Sequence, residues 1–189
     1  MYLLRHGQSE FNVIYGETRR DPGIRDPKLT QLGKTQAEDA GDFLKSFTAT
    51  KIVSSPYWRA LETATIIAAK LKLSIEVTPL TGERAVFECD VGSPASQLRE
   101  EFPHIDFRSL KSESWWPDRE EDLESLDRRC QRFRQDCENS RYEGAIFVTH
   151  WGFIRGLTNI RAQNCGILEF DPASNHPGGG TVVSNCDPC

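Results

Sequence analysis

Short apolar runs alternate along the chain with stretches whose apolar positions recur every three or four residues. Four of the runs have strand length: Tyr2–Arg5, Lys51–Ser54, Ser74–Thr78 and Ala145–His150. Ile167–Phe170 and Thr181–Ser184 predict a hairpin near the C-terminus. Helical periodicity fills the intervals. Thr30 is in position to cap a helix with the stripe Leu32, Ala37, Ala40, Phe43 and Leu44. Ser55 and Pro56 read as the cap and first turn of a second, whose stripe is Ala60, Leu61, Ala64, Ile67, Ala68 and Leu71. A third spans Asp118–Ser140 and presents Leu123, Leu126, Cys130, Phe133 and Cys137, behind an acidic start that complements the helix dipole.

This alternation predicts an α/β fold: a mainly parallel central sheet with helices on both faces and a short C-terminal hairpin. No repeat, low-complexity tract or linker divides the chain, so residues 1–189 read as a single domain. Within it, residues 86–118 are rich in Pro, Ser and charge and read as a lid-like excursion rather than a core element. Trp115 and Trp116 in this stretch either pack over a substrate or staple the excursion to the core. His104 and His176 lie in predicted loops, and a surface position is expected for both.

Composition narrows the options. With 189 residues, 38% apolar side chains, four Trp and ten Phe, the chain can bury one substantial core. A net charge of −5 argues against nucleic acid or an anionic membrane as partner, while leaving room for a local basic site. No apolar run approaches the ~20 residues needed to cross a bilayer. The opening residues lack a signal-peptide pattern, so a cytoplasmic location is expected. Of six cysteines, Cys89, Cys130, Cys137 and Cys165 are scattered, and Cys186 and Cys189 form a terminal C-D-P-C. Cys130 and Cys137 fall on one helical face, which suits packing, so unbridged thiols are expected rather than a disulfide framework or metal site. No metal or cofactor is implied, and nothing in the pattern sets an oligomeric state.

In a sheet of this kind ligands bind beyond the carboxyl ends of the strands. The first predicted strand ends in Arg5 and His6. The second leads into "SSPYWRA", with Arg59 in a first helical turn, and the third reaches Glu83 and Arg84 through "PLTGER". The fourth ends in "FVTHWG", with His150 at its tip. Each residue alone has a plain reading: a packing histidine, a solvated helix arginine, a surface carboxylate, a weak ion pair. Random placement would scatter them over both rims. Their gathering on one rim of an acidic protein implies an anionic ligand, and guanidinium geometry suits phosphate or carboxylate.

"LLRHGQSEFN", "SSPYWRALETA", "GER" and "VTHWGFIRGL", together with "DPKLTQLGKTQA", resemble the histidine phosphatase superfamily, the phosphoglycerate mutase-like proteins. The resemblance covers most of Tyr2–Asn164. It implies that His6 is the histidine that becomes phosphorylated, that Arg5, Arg59 and His150 clamp phosphate, and that Glu83 donates a proton. It also implies that Ser9 and Asn12 fall where the first loop contacts phosphate, and that Arg84 helps hold substrate. Glu88 is a second candidate for the proton donor; Glu83 is favoured because it directly precedes Arg84.

The chemistry fits those types. Phosphoryl transfer needs cationic stabilisation of the equatorial oxygens and an in-line nucleophile. A neutral imidazole supplies the nucleophile, and adjacent guanidiniums disfavour its protonation. A carboxyl can protonate the leaving alkoxide and then activate water. The expectation is therefore metal-independent hydrolysis of a small phosphorylated metabolite through a phosphohistidine. Mutase-type transfer is the alternative, but it needs a closed, cation-rich site, and Arg99, Arg108 and Lys111 are the only basic residues between Ala85 and Trp115. A catalytically silent phosphoanion-binding module is the alternative from another class.

Overall fold

The computed structural model describes residues 1–138 and 140–185. Its centre is a six-stranded sheet in the order β3-β2-β4-β1-β5-β6. The strands are β1 (Tyr2–Arg5), β2 (Lys51–Ser54), β3 (Ile75–Val77), β4 (Ala145–Thr149), β5 (Ile167–Phe170) and β6 (Gly180–Ser184). β4 lies between β1 and β2 and runs parallel to both; β3 is parallel to β2. The β5–β6 hairpin extends the sheet antiparallel from β1. All six expected strands form, within a residue or two of their expected limits.

Side chains alternate between two cores, as they must in a strand buried on both faces. Leu4, Ile52, Ile146 and Val148 face one way, against α2 (Gln31–Leu44) and α3 (Trp58–Leu71). Leu3, Val53, Ala145 and Phe147 face the other, against α5 (Leu123–Cys137) and α6 (Trp151–Thr158). The helices α1 (Glu10–Thr18), α4 (Ala95–Glu101) and α6 add to the three expected. Among the described residues no helix is long and apolar enough to cross a membrane.

Several local expectations shift. Thr30 does cap α2, accepting from the Gly33 amide. The inward face of α2 is Gly33, Ala37, Ala40, Gly41 and Leu44, so Leu32 and Phe43 stay exposed on its flanks. α3 begins at Trp58, three residues after the expected cap, and the carboxylate of Asp26 receives the Trp58 amide from outside the helix. α5 likewise starts late, with Asp122 as its cap, leaving Leu123 exposed and the acidic run 118–121 outside the helix. Within that run Glu121 makes a bidentate pair with Arg129.

Residues 86–118 are not set apart from the core. Ala95, Leu98, Phe102, Ile105, Phe107 and Leu110 are buried in the α2–α3 core. Asp106 adds a parallel bridge to the outer edge of β3, which covers a strand edge that would otherwise stand open. The apolar residues here are separated by Pro and charge, which hides their burial from a periodicity reading. Trp115 joins this packing: its indole N–H donates to Ser93 and its ring meets Tyr57 edge-on at 4.8 Å. His104 is exposed as expected, whereas His176 is largely withdrawn, held between Arg134 and Asp127. Cys89, Cys130 and Cys137 are buried thiols, and Cys165 is buried as well; Cys186 and Cys189 lie outside the described residues.

The loop after β1 is pressed onto the first turn of α2. A Cβ at Gly33 would collide with the Gln8 carbonyl, and one at Gly7 with the Gly33 carbonyl. Both obstacles are backbone, so neither can swing aside. Gly33→Ala is expected to destabilise the protein by about 1–3 kcal/mol, read as a lower urea midpoint with an unchanged slope.

Candidate active site

The expected rim forms. β1 delivers Arg5 and His6, and the His6 amide continues the ladder to the Thr149 carbonyl at 2.9 Å. The Gly7 amide donates to Thr63 Oγ1 and the Gln8 amide to Gln36, so the loop is pinned to both covering helices. His6 Nδ1 stands 2.7 Å from the Gly7 carbonyl. A carbonyl can only accept, so Nδ1 carries the proton and Nε2 keeps its lone pair. Burial holds the His6 pKa well below the ordinary histidine value, and the charges of Arg59 and Arg5 push it further in the same direction. This imidazole is neutral at physiological pH.

Arg59 lies in the first turn of α3 and is almost fully buried. It donates to the Cys89 carbonyl at 2.8 Å and pairs with Asp90 at 3.2 Å, with its guanidinium over the Tyr57 ring. Arg5 donates to the Ala162 carbonyl, and its Nε is buried without a partner. Burial lowers the Arg5 pKa to about 10, which still leaves it cationic. His150, at the tip of β4, stands with its ring 5.1 Å from that of His6. Its Nε2 meets Ser55 Oγ at 2.7 Å and its Nδ1 is buried without a partner. Burial, then the charge of Arg59, keeps His150 unprotonated too.

Glu83 follows β3 through the short 79–81 turn. Its Oε1 accepts the amides of Arg84 at 2.9 Å and Phe153 at 3.2 Å. Withdrawal from water raises its pKa, and the nearby negative charge of Asp90 adds to the rise. Glu83 lines the cleft, whereas Glu88 is exposed and does not. Ser9 and Asn12 belong to the start of α1: Asn12 Oδ1 receives the Ser9 amide, the Ser9 hydroxyl and Asn164 Nδ2. Arg84 lines the cleft, but its Nε is tied to the Glu121 carbonyl and its guanidinium pairs loosely with Glu120 at 3.8 Å.

These groups meet in one cleft of about 710 Å³, lined by Arg5, His6, Ser9, Asn12, Arg59, Glu83 and Arg84, and the buried His150 ring stands 5.1 Å from that of His6. A volume of this size suits a small-molecule ligand. Among the described residues, no three His, Cys, Asp or Glu side chains converge in a way that could hold a metal ion.

Four participants escaped the sequence reading. Ser55 serves His150 rather than capping α3. Asp90 neutralises Arg59 and also accepts the Val86 and Phe87 amides. Asn164 ties the His6 carbonyl to Asn12. Arg129, from α5, collects the carbonyls of Leu80, Gly82 and Glu83 and so fixes the turn that carries Glu83. A buried Arg59 required a counter-charge somewhere; the pattern gave no means of choosing which carboxylate.

Comparison with known proteins bears on this arrangement. The family model described as histidine phosphatase superfamily (branch 1) matches residues 1–177. A Hydrogenobacter thermophilus protein provisionally named phosphoserine phosphatase 2 is 30% identical over 184 residues, spanning 90% of this chain and 88% of its own. The solved mycobacterial glucosyl-3-phosphoglycerate phosphatase superposes with a TM-score of 0.63 over 99% of both chains at 22% identity. The ecdysone phosphate phosphatase from Bombix mori gives 0.67 over 100% of this chain and 93% of its own at 18% identity. At these identities the structural likeness speaks for the fold.

Proposed function

The chain belongs to the histidine phosphatase superfamily, and from that premise we propose that it hydrolyses a phosphomonoester of a small metabolite through a phosphohistidine on His6, without a metal. One observation carries the reading. Among the described residues, the buried side-chain nitrogens or oxygens lacking a hydrogen-bond partner are Arg5 Nε and His150 Nδ1, both on residues that flank His6. Buried polar atoms are rarely left so, and two around one neutral imidazole suit an oxyanion ligand.

In the first half-reaction the Nε2 lone pair of His6 attacks phosphorus in line, and the bond from phosphorus to the alcohol oxygen breaks. Arg5 and Arg59 stabilise the equatorial oxygens. With the Ser55 hydroxyl donating to Nε2 of His150, the proton on His150 Nδ1 joins them. Asn12, its Oδ1 already engaged, has its amide N–H groups to offer, and Ser9 holds that orientation. Glu83 gives its proton to the departing alkoxide; its raised pKa keeps that proton available closer to neutrality than an ordinary carboxyl would. In the second half-reaction Glu83 takes a proton from water, the water oxygen bonds to phosphorus, and the N–P bond breaks to release inorganic phosphate. Arg84 contributes on the alcohol side.

The test is rapid acid-free quenching during turnover of p-nitrophenyl phosphate in EDTA. The expected product is a phosphoryl-protein that is acid-labile and base-stable, with phosphate and nitrophenol released one for one. No turnover in EDTA, or turnover with no such adduct, would sink the proposal. A phosphate shortfall matched by transfer to an added hydroxyl compound would point to mutase-type chemistry instead.

A further inference from the structure

The cleft beyond His6 is walled with rings. Phe11 and Tyr15 on α1 and Phe87 form a mutual cluster with centroids 5.1, 5.4 and 5.2 Å apart. Tyr15 and Phe87 are only half-buried, Val86 beside them is exposed, and all four line the cleft. Rings serving only to dock α1 would be withdrawn; these present apolar surface to the space next to the phosphoryl-transfer groups. Beyond Arg5 and Arg59, the cleft's cations are Arg84 and Arg19. Arg84 is tied to the Glu121 carbonyl and to Glu120, while Arg19, 6.0 Å from the Tyr15 ring, forms no ion pair among the described residues. Gly16 opens the floor between Tyr15 and Arg19: a Cβ there would meet nothing within 4 Å.

We propose, on the basis of the phosphatase reading above, that the alcohol portion of the substrate is an aromatic or extended apolar body lying against Phe11, Tyr15 and Phe87. A ring laid on this cluster leaves water and gains stacking contact. A second phosphate or a carboxylate would meet there only Arg19 and an Arg84 already engaged by Glu120 and the Glu121 carbonyl.

The test compares 2-phenylethyl phosphate, phosphoserine and 3-phosphoglycerate, all esters of alkyl alcohols, so that leaving-group basicity does not dominate the ranking. The kcat/KM for 2-phenylethyl phosphate is expected to exceed both others by about tenfold or more, chiefly through KM. Gly16→Leu fills the open floor and improves helix propensity, and Phe87→Ala removes one ring. Each is expected to reduce that ratio severalfold while the protein still melts cooperatively. Equal or better use of the two anionic substrates, or a ratio untouched by both variants, overturns the apolar assignment and leaves the phosphatase reading standing. Turnover of p-nitrophenyl phosphate but of none of the three overturns the apolar assignment alone, and failure on p-nitrophenyl phosphate as well overturns the phosphatase reading and the apolar assignment with it.

Discussion

Asp90→Ala is expected to cost about 3–5 kcal/mol of stability and to lower kcat/KM on an aryl phosphate by about a hundredfold, although Asp90 forms no bond to substrate in the proposed reaction. Its carboxylate is almost fully buried, with one oxygen on Arg59 and the other on the amides of Val86 and Phe87. Alanine strips the counter-charge from a guanidinium that has no access to bulk water and leaves two amides without an acceptor. The residual anchor on Arg59 is the Cys89 carbonyl, which does not restore charge balance. A guanidinium so released loses its aim at the equatorial oxygens, and a displacement near 1 Å is enough for the kinetic loss. Asp90→Asn separates the two effects: it keeps an oxygen for the amides but not the charge, so its stability should fall between the wild type and the alanine variant. Urea midpoints of the three proteins check this. Equal midpoints for wild type and Asp90→Ala would show that the ion pair contributes nothing.

His6→Ala is expected to lower kcat by about 10⁴-fold or more and to abolish the trapped phosphoryl-protein, since the group that bonds to phosphorus is gone. The same substitution should make the fold more tolerant of acid. His6 and His150 have folded pKa values held below the ordinary value of 6.5, first by burial and then by neighbouring positive charge. Below pH 6.5 the unfolded chain takes up protons at these positions and the folded chain does not. Their stabilising contribution is thus complete above the unfolded pKa and declines as pH falls, by up to about 1.4 kcal/mol per pH unit for each histidine. Removing one of the two should flatten the decline between pH 6.5 and 5. Parallel stability curves for wild type and variant would mean that His6 is not held neutral in the fold.

The sheet and the rim were legible in the sequence; the supports behind them were not. Strands buried on both faces, such as "AIFVT", appear as short continuous apolar runs, while the less buried β6 was found as the second arm of a hairpin. Arg5, His6, Arg59, Glu83 and His150 were found because each stands at the end of a strand or in the segment that follows it, where one topological rule says to look. α1 was missed because its apolar residues form no stripe and only Phe11 is buried. The burial of Leu98, Phe102 and Phe107 was hidden by intervening Pro and charge. Ser55, Asp90, Asn164 and Arg129 act through partners 95, 31, 158 and 46 residues away along the chain. Such pairings leave no mark on local periodicity, because they depend on which loops the fold brings side by side.

The position of β4 between β1 and β2 has a consequence for biosynthesis. The segments bearing His6 and Arg59 emerge early from the ribosome, yet their strands share no edge until residues 145–149 slot between them. A nascent chain stopped short of that point carries most of the reactive side chains but not the wedge that aligns them. Assembly of the pocket therefore waits until residues 145–149 have been made.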